Sequence, residues 1–128
     1  MTEEHPAFTV AAVDDDPSIL RSLECLLDSA DYAVRLFGSA HALLDSACLP
    51  EIDCLISDID MPGADGFELL RRLDRERPGL PIILITGYPD RLKRLSAMAD
   101  HRVRFFTKPF QGPQLLAAVS DAIAAYRG

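Results

Sequence analysis

The stretch Ile52-Asp53-Cys54-Leu55-Ile56-Ser57-Asp58, followed at once by Ile59-Asp60-Met61-Pro62-Gly63-Ala64-Asp65-Gly66, decides how this chain is read. Its first part is an apolar run of strand length, and its second is a loop rich in proline and glycine. Asp58 stands at the junction. A carboxylate at the tip of a buried strand loses hydration, so it persists there only where its charge is used or compensated. Toward the N-terminus, Phe8-Thr9-Val10-Ala11-Ala12-Val13 is another apolar run, and it ends in Asp14-Asp15-Asp16. If the two runs are neighbours in a parallel sheet, their carboxylates converge on one spot. Such a cluster repels itself and calls for a hard cation with oxygen ligands.

Apolar runs alternate with amphipathic stretches along the rest of the chain. Phe8–Val13, Tyr32–Phe37, Ile52–Ser57, Leu80–Ile85 and Val103–Phe106 read as strands. Pro17–Ser29 reads as a helix with an apolar stripe of Ile19, Leu20, Leu23, Leu26 and Leu27. Asp16 is placed to cap it, and Pro17 suits its first turn. Ser39 caps a short helix through Ala47. Phe67–Arg75, Pro89 to Ala99 and Gln114–Tyr126 complete the helices. Leu80–Ile85 is the most continuously apolar strand, as expected in the middle of a sheet covered on both faces. Strands each followed by a helix predict an α/β fold, a doubly wound parallel sheet with helices on both faces. A barrel would need about eight such units. In doubly wound sheets, ligands sit at the carboxyl ends of the strands. The polar punctuation lies there: Asp14-Asp15-Asp16, Asp58, Thr86-Gly87 and Thr107-Lys108-Pro109.

Composition narrows the function. The chain has 128 residues, 48% of them hydrophobic, which fits one domain with its own core. A net charge of −7 argues against direct nucleic-acid binding by the whole surface. The sequence has no apolar stretch long enough to span a membrane and no signal pattern at Met1–Pro6, so a cytoplasmic location is expected. Cys25, Cys48 and Cys54 lack metal-like spacing and are expected to behave as small buried hydrophobes. His5, His41 and His101 are scattered and carry no functional expectation. Asp16 is assigned to capping, and Asp65 to a loop or a helix start.

A carboxylate, an acid pair, a hydroxyl and an ammonium on one rim suit phosphoryl transfer to a carboxylate. The transferred group carries dispersed negative charge, so the protein contributes positioning and electrostatic stabilisation. Asp15 and Asp58 can ligate Mg²⁺ with help from a loop carbonyl after Asp58. Lys108 supplies positive charge, Thr86 a hydrogen-bond donor, and Asp58 the nucleophile that forms an acyl phosphate.

Four pieces in order, Val13-Asp14-Asp15-Asp16, Asp58 through Gly66, Leu84-Ile85-Thr86-Gly87 and Thr107-Lys108-Pro109-Phe110, resemble the receiver domain of two-component response regulators across residues 7–126. The resemblance implies a flavodoxin-like fold, five parallel strands in the order 2-1-3-4-5 flanked by five helices. It makes Asp58 the phosphoacceptor, Asp15 a direct Mg²⁺ ligand and Asp14 an acidic partner acting mostly through water. The backbone carbonyl of Asp60 completes the metal sphere. Thr86 becomes the switch hydroxyl and Phe105 the aromatic switch partner, Lys108 contacts the phosphoryl group, and Lys108–Pro109 is cis. The output surface implied is the fourth helix, fifth strand and fifth helix, where Arg91, Lys93, Arg94, Arg102 and Arg104 concentrate positive charge. Such a basic face is either simply solvated or a docking or dimer surface that pairs with acidic residues. The implied partners are a sensor histidine kinase, a second copy of the chain, and a downstream protein or a DNA-binding output domain beyond this sequence. Such a domain is no enzyme beyond its own phosphorylation and dephosphorylation. Asp14 through Arg21, with Ile85-Thr86-Gly87, resembles receivers of the nitrogen-fixation transcriptional regulator type.

Some residues depart from the pattern. Asp60 adds a carboxylate near the acceptor, expected to slow anionic donors and change the lifetime of the acyl phosphate. Gly87 is expected to leave the site open, with Tyr88 lining the entrance. His101-Arg102 stands where many receivers have a Gly-Ala pair before the fifth strand, so that loop is expected to depart from the family's geometry. Two rival functions are a haloacid-dehalogenase-type phosphatase, suggested by Asp58-Ile59-Asp60, and a pseudo-receiver that only binds partners. The sequence ends two residues after Tyr126, which leaves a single-domain regulator and the receiver piece of a longer transcription factor both open.

Overall fold

A computed structural model describes residues 8–60, 66–97 and 102–127. The elements are β1 (Thr9–Val13), α1 (Pro17–Ser29), β2 (Ala33–Phe37), α2 (Ala40–Leu44), a 3₁₀ turn (Leu49–Glu51), β3 (Cys54–Asp58), α3 (Gly66–Glu76), β4 (Ile82–Thr86), α4 (Pro89–Ser96), β5 (Val103–Thr107) and α5 (Gly112–Arg127). The strands form one parallel sheet in the order β2-β1-β3-β4-β5. The fold class, strand order and number of helices are those expected from the sequence.

Burial explains the strand pattern. Alternate residues of each strand face opposite layers. Ala11, Val13, Leu55, Ile82 and Leu84 pack with Leu43 of α2, Leu69 and Leu73 of α3 and Leu95 of α4. Val10, Ala12, Ile56, Ile83 and Ile85 pack on the other face with Leu23 and Leu27 of α1 and Leu115 and Val119 of α5. With both faces covered, β3 and β4 are buried at every position, and neither shows the polar alternation of a half-exposed strand.

Helix ends follow their caps. Asp16 accepts a hydrogen bond from the Ser18 amide at 2.8 Å, and Pro17 opens α1 as expected. Ser39 accepts from the Ala42 amide at 3.0 Å and starts α2. That helix ends at Leu44 instead of reaching Ala47, because Ser46 folds back to the Leu43 carbonyl and accepts from the Cys48 amide. The fourth helix ends at Ser96, short of Ala99; Met98–Ala99 and His101 lie outside the described residues, as do Met61–Asp65. Gly79 has φ +88°, a backbone conformation that side-chain-bearing residues rarely adopt, so this turn favours glycine. The cysteines divide: Cys54 is buried, with its thiol pushed up to about 12 by burial, whereas Cys25 is exposed, against expectation. The expectation failed because Cys25 lies on the outer side of α1, away from Leu23 and Leu27.

Candidate functional site

The strand order changes direction at β1, whose neighbours are β2 on one side and β3 on the other. Register then sets the site. Val13 pairs with Ser57, so the next residues along, Asp14 and Asp58, emerge side by side at the carboxyl edge. Both use the same local device. The Asp14 Oδ1 accepts from the Asp16 amide at 2.9 Å, and the Asp58 Oδ1 accepts from the Asp60 amide at 2.9 Å. Each Asx-type turn orients one carboxylate oxygen and leaves the other for a partner. Both acids are almost fully buried, Asp14 at 2% and Asp58 at 4% exposure, while Asp15 is exposed.

Lys108 is carried in from the far edge. Thr86 and Thr107 pair between β4 and β5, and the Lys108 amide donates to the Thr86 carbonyl at 2.8 Å. The Lys108–Pro109 bond is cis. The Lys108 Nζ lies 3.1 Å from the Asp58 Oδ2 and 3.6 Å from the Asp14 Oδ2. Burial alone would lower the affinity of this ammonium for its proton. The hydrogen bond and charge of Asp58, then the charge of Asp14, outweigh it and hold the lysine above its usual value. The Asp14 carboxyl is pushed up by burial, with the Asp58 charge adding to the effect and the Asp16 amide opposing it.

The ligand oxygens of Asp14, Asp15 and Asp58 all lie within 4.8 Å of one another. Lys108 pairs with Asp14 and Asp58, and exposed Asp15 completes the cluster, so three carboxylates gather around a single ion-paired ammonium at a point where two of the acids are dehydrated. An all-oxygen donor set with excess negative charge fits a hard divalent cation.

Thr86 is fully buried at the tip of β4. Its hydroxyl is engaged away from Asp58. It donates to the Asp60 Oδ1 at 2.7 Å and accepts from the Tyr88 amide at 3.0 Å. The Asp60 carboxylate also accepts from the Gly87 amide at 2.8 Å and from the Arg91 Nη1 at 2.9 Å. Gly87 is therefore tied across to the end of β3. Tyr88 is exposed and stacks with the Arg91 guanidinium at 5.0 Å. Phe105 is half-buried and packs against the layer that contains Leu84 and Leu95. The part played by Arg91 was not legible in the sequence, since nothing local links residues 60 and 91. Arg102 likewise pairs within the chain, with Asp74, so the basic residues are not all open to a partner.

These features define a class, and sequence comparison agrees with it. Residues 10–120 match the Response regulator receiver domain family, and the chain belongs to that family. Transcriptional regulatory protein FixJ of Bradyrhizobium diazoefficiens is 40% identical over 114 residues, covering 89% of this chain and 56% of its own length. The C4-dicarboxylate transport transcriptional regulatory protein DctD of Pseudomonas aeruginosa is 38% identical over 118 residues, covering 92% of this chain and 26% of its own length. The chain thus spans about half of the first relative and about a quarter of the second. Among solved structures, the signal receiver domain of an HD domain-containing protein from Pseudomonas fluorescens Pf-5 superposes with a TM-score of 0.84 at 27% identity, over 99% of this chain and 94% of that one. Full-length FixJ from B. japonicum superposes with a TM-score of 0.80 at 39% identity, over 93% of this chain and 59% of that one. The family to which the chain belongs comprises the receiver domains of two-component response regulators, which are phosphorylation-dependent switches. The phosphatase reading gains no support. The Asp60 carboxylate, its second acid, is turned to Thr86, Gly87 and Arg91. No described helix is long and apolar enough to cross a membrane.

Proposed function

We propose that Asp58 accepts a phosphoryl group from the phosphohistidine of a sensor kinase in the cytoplasm. A lone pair of an Asp58 oxygen attacks phosphorus, the donor N–P bond breaks, and its electrons return to the imidazole nitrogen. Later attack by water on phosphorus returns the carboxylate and releases inorganic phosphate. Asp14, Asp15 and Asp58 would hold Mg²⁺, with the Asp60 backbone carbonyl as a further oxygen ligand. When bound, the ion supplies positive charge against the transferring phosphoryl oxygens. Lys108 orients the Asp58 Oδ2 and meets the incoming negative charge from the other side. Thr86 and Phe105 carry the resulting change to the α4-β5-α5 face, which serves a second copy of the chain or an output partner.

One observation carries the reading: the buried Asp58, 3.1 Å from the Lys108 ammonium, shares a ligand cluster with Asp14 and Asp15. Intact mass after incubation with Mg²⁺ and acetyl phosphate tests it. One added phosphoryl group is expected on the wild type, none without Mg²⁺ and none on Asp58→Asn. An adduct that survives Asp58→Asn would move the acceptor to another residue.

A further inference from the structure

The Thr86 hydroxyl has one proton, and it is spent on Asp60 at 2.7 Å. The same Asp60 carboxylate accepts from the Gly87 amide and the Arg91 guanidinium. This one side chain, at 14% exposure, therefore joins the end of β3 to the β4–α4 loop and to the first turn of α4. Hydrogen bonds to a charged carboxylate are roughly twice as strong as neutral ones. For Thr86 to donate to a phosphoryl oxygen on Asp58, it must first leave Asp60. The departing hydroxyl strips the carboxylate of one donor just as new negative charge arrives two residues away.

We propose that Asp60 is a positioning residue, a latch that holds Thr86 and the β4–α4 loop in the resting arrangement and opposes their recruitment by a phosphoryl group on Asp58. The inference rests on Asp58 being the acceptor. The latch acts through Thr86, whereas simple repulsion by the Asp60 charge would act on any anion at Asp58 without Thr86. Arg91 offsets part of that repulsion, since its guanidinium lies 2.9 Å from the Asp60 Oδ1. The two mechanisms therefore differ in what happens when Thr86 is removed.

The experiment is a double-mutant cycle on the Mg²⁺-loaded chain, titrated with beryllofluoride as the phosphoryl mimic and followed by the amide resonances of Gly87 and Tyr88. Asp60→Ala is expected to tighten beryllofluoride binding roughly tenfold in the wild-type background, the scale of one charge-assisted hydrogen bond. In the Thr86→Ala background, the same change is expected to tighten it less than about twofold. Asp60→Asn, which keeps the side-chain volume, is expected to show the same pattern at smaller amplitude and covers the case in which the alanine variant fails to fold. Equal tightening in both backgrounds, or none in either, overturns the latch while leaving Asp58 as the acceptor. A wild-type protein that takes up neither beryllofluoride nor a phosphoryl group from acetyl phosphate overturns the acceptor reading, and the latch with it.

Discussion

Asp58 and Asp60 are separated by one residue and occupy opposite electrostatic environments. Asp58 is buried beside Asp14 and shares one lysine with it, so the cluster carries more negative charge than the protein neutralises. Asp60 is less buried and accepts from a hydroxyl, a backbone amide and a guanidinium. The first carboxylate is under-compensated and the second is fully engaged. The difference teaches where to look for chemistry on this rim. Leftover buried charge marks the place where a cation and a reacting group are used, while satisfied charge holds a neighbouring loop in position.

Three measurements can break or sharpen that contrast. The largest effect is expected from Lys108→Ala. Losing the Lys108 ammonium from the cluster should slow acetyl phosphate labelling by roughly 10²-fold, the scale of one electrostatic donor in a catalytic site. A labelling rate within a factor of about two of wild type would remove Lys108 from the chemistry.

Mg²⁺ itself should act on one side of the comparison. At about 100 times its dissociation constant, the ion should stabilise the wild type by about 2.7 kcal/mol, read as a rise in Tm. The gain should vanish in EDTA and shrink with Asp15→Asn. It should survive Asp60→Asn, whose side chain lies outside the acid cluster. A gain lost only with Asp60→Asn would reverse the assignment of the two regions.

The smallest effect is a pair of opposite signs, measured without metal. Asp60→Asn should lower stability by about 1 kcal/mol, since it weakens charge-assisted hydrogen bonds. Asp14→Asn should raise it by about 1 kcal/mol, since it relieves a dehydrated carboxylate beside Asp58. The pH dependence follows from linkage. Burial raises the folded-state affinity of Asp14 for its proton above that of an ordinary aspartate, as the unfolded chain has. The folded wild type therefore binds more protons than the unfolded chain between the ordinary aspartate pKa and its raised pKa, and this contribution to stability grows as pH falls through the window. The advantage of Asp14→Asn should accordingly be full at neutral pH and fade on acidification. An advantage that grew at low pH would contradict the burial argument.

Much of this was legible in the chain. The largely apolar stretches Ile52–Ser57 and Leu80–Ile85 announce strands buried on both faces, and the caps Asp16 and Ser39 announce two helix starts. The acid cluster was legible too, because parallel strands end at one edge whatever loops join them. The end of α2 and the exposure of Cys25 were not. The first is decided by Ser46 competing for backbone groups, and the second by which side of α1 meets the sheet.

The sequence by itself determined the alternating order of elements, the sheet's two buried faces and the placement of Asp14, Asp15, Asp58 and Lys108 at one edge. Hydrophobic periodicity and strand polarity are local properties that need no distant partner. Only the tertiary structure decided the direction of the Thr86 hydroxyl, the engagement of Arg91 and Arg102, and the satisfied state of Asp60. Those depend on distances between residues far apart in the chain. A single donor proton goes to whichever acceptor the fold brings within about 3 Å.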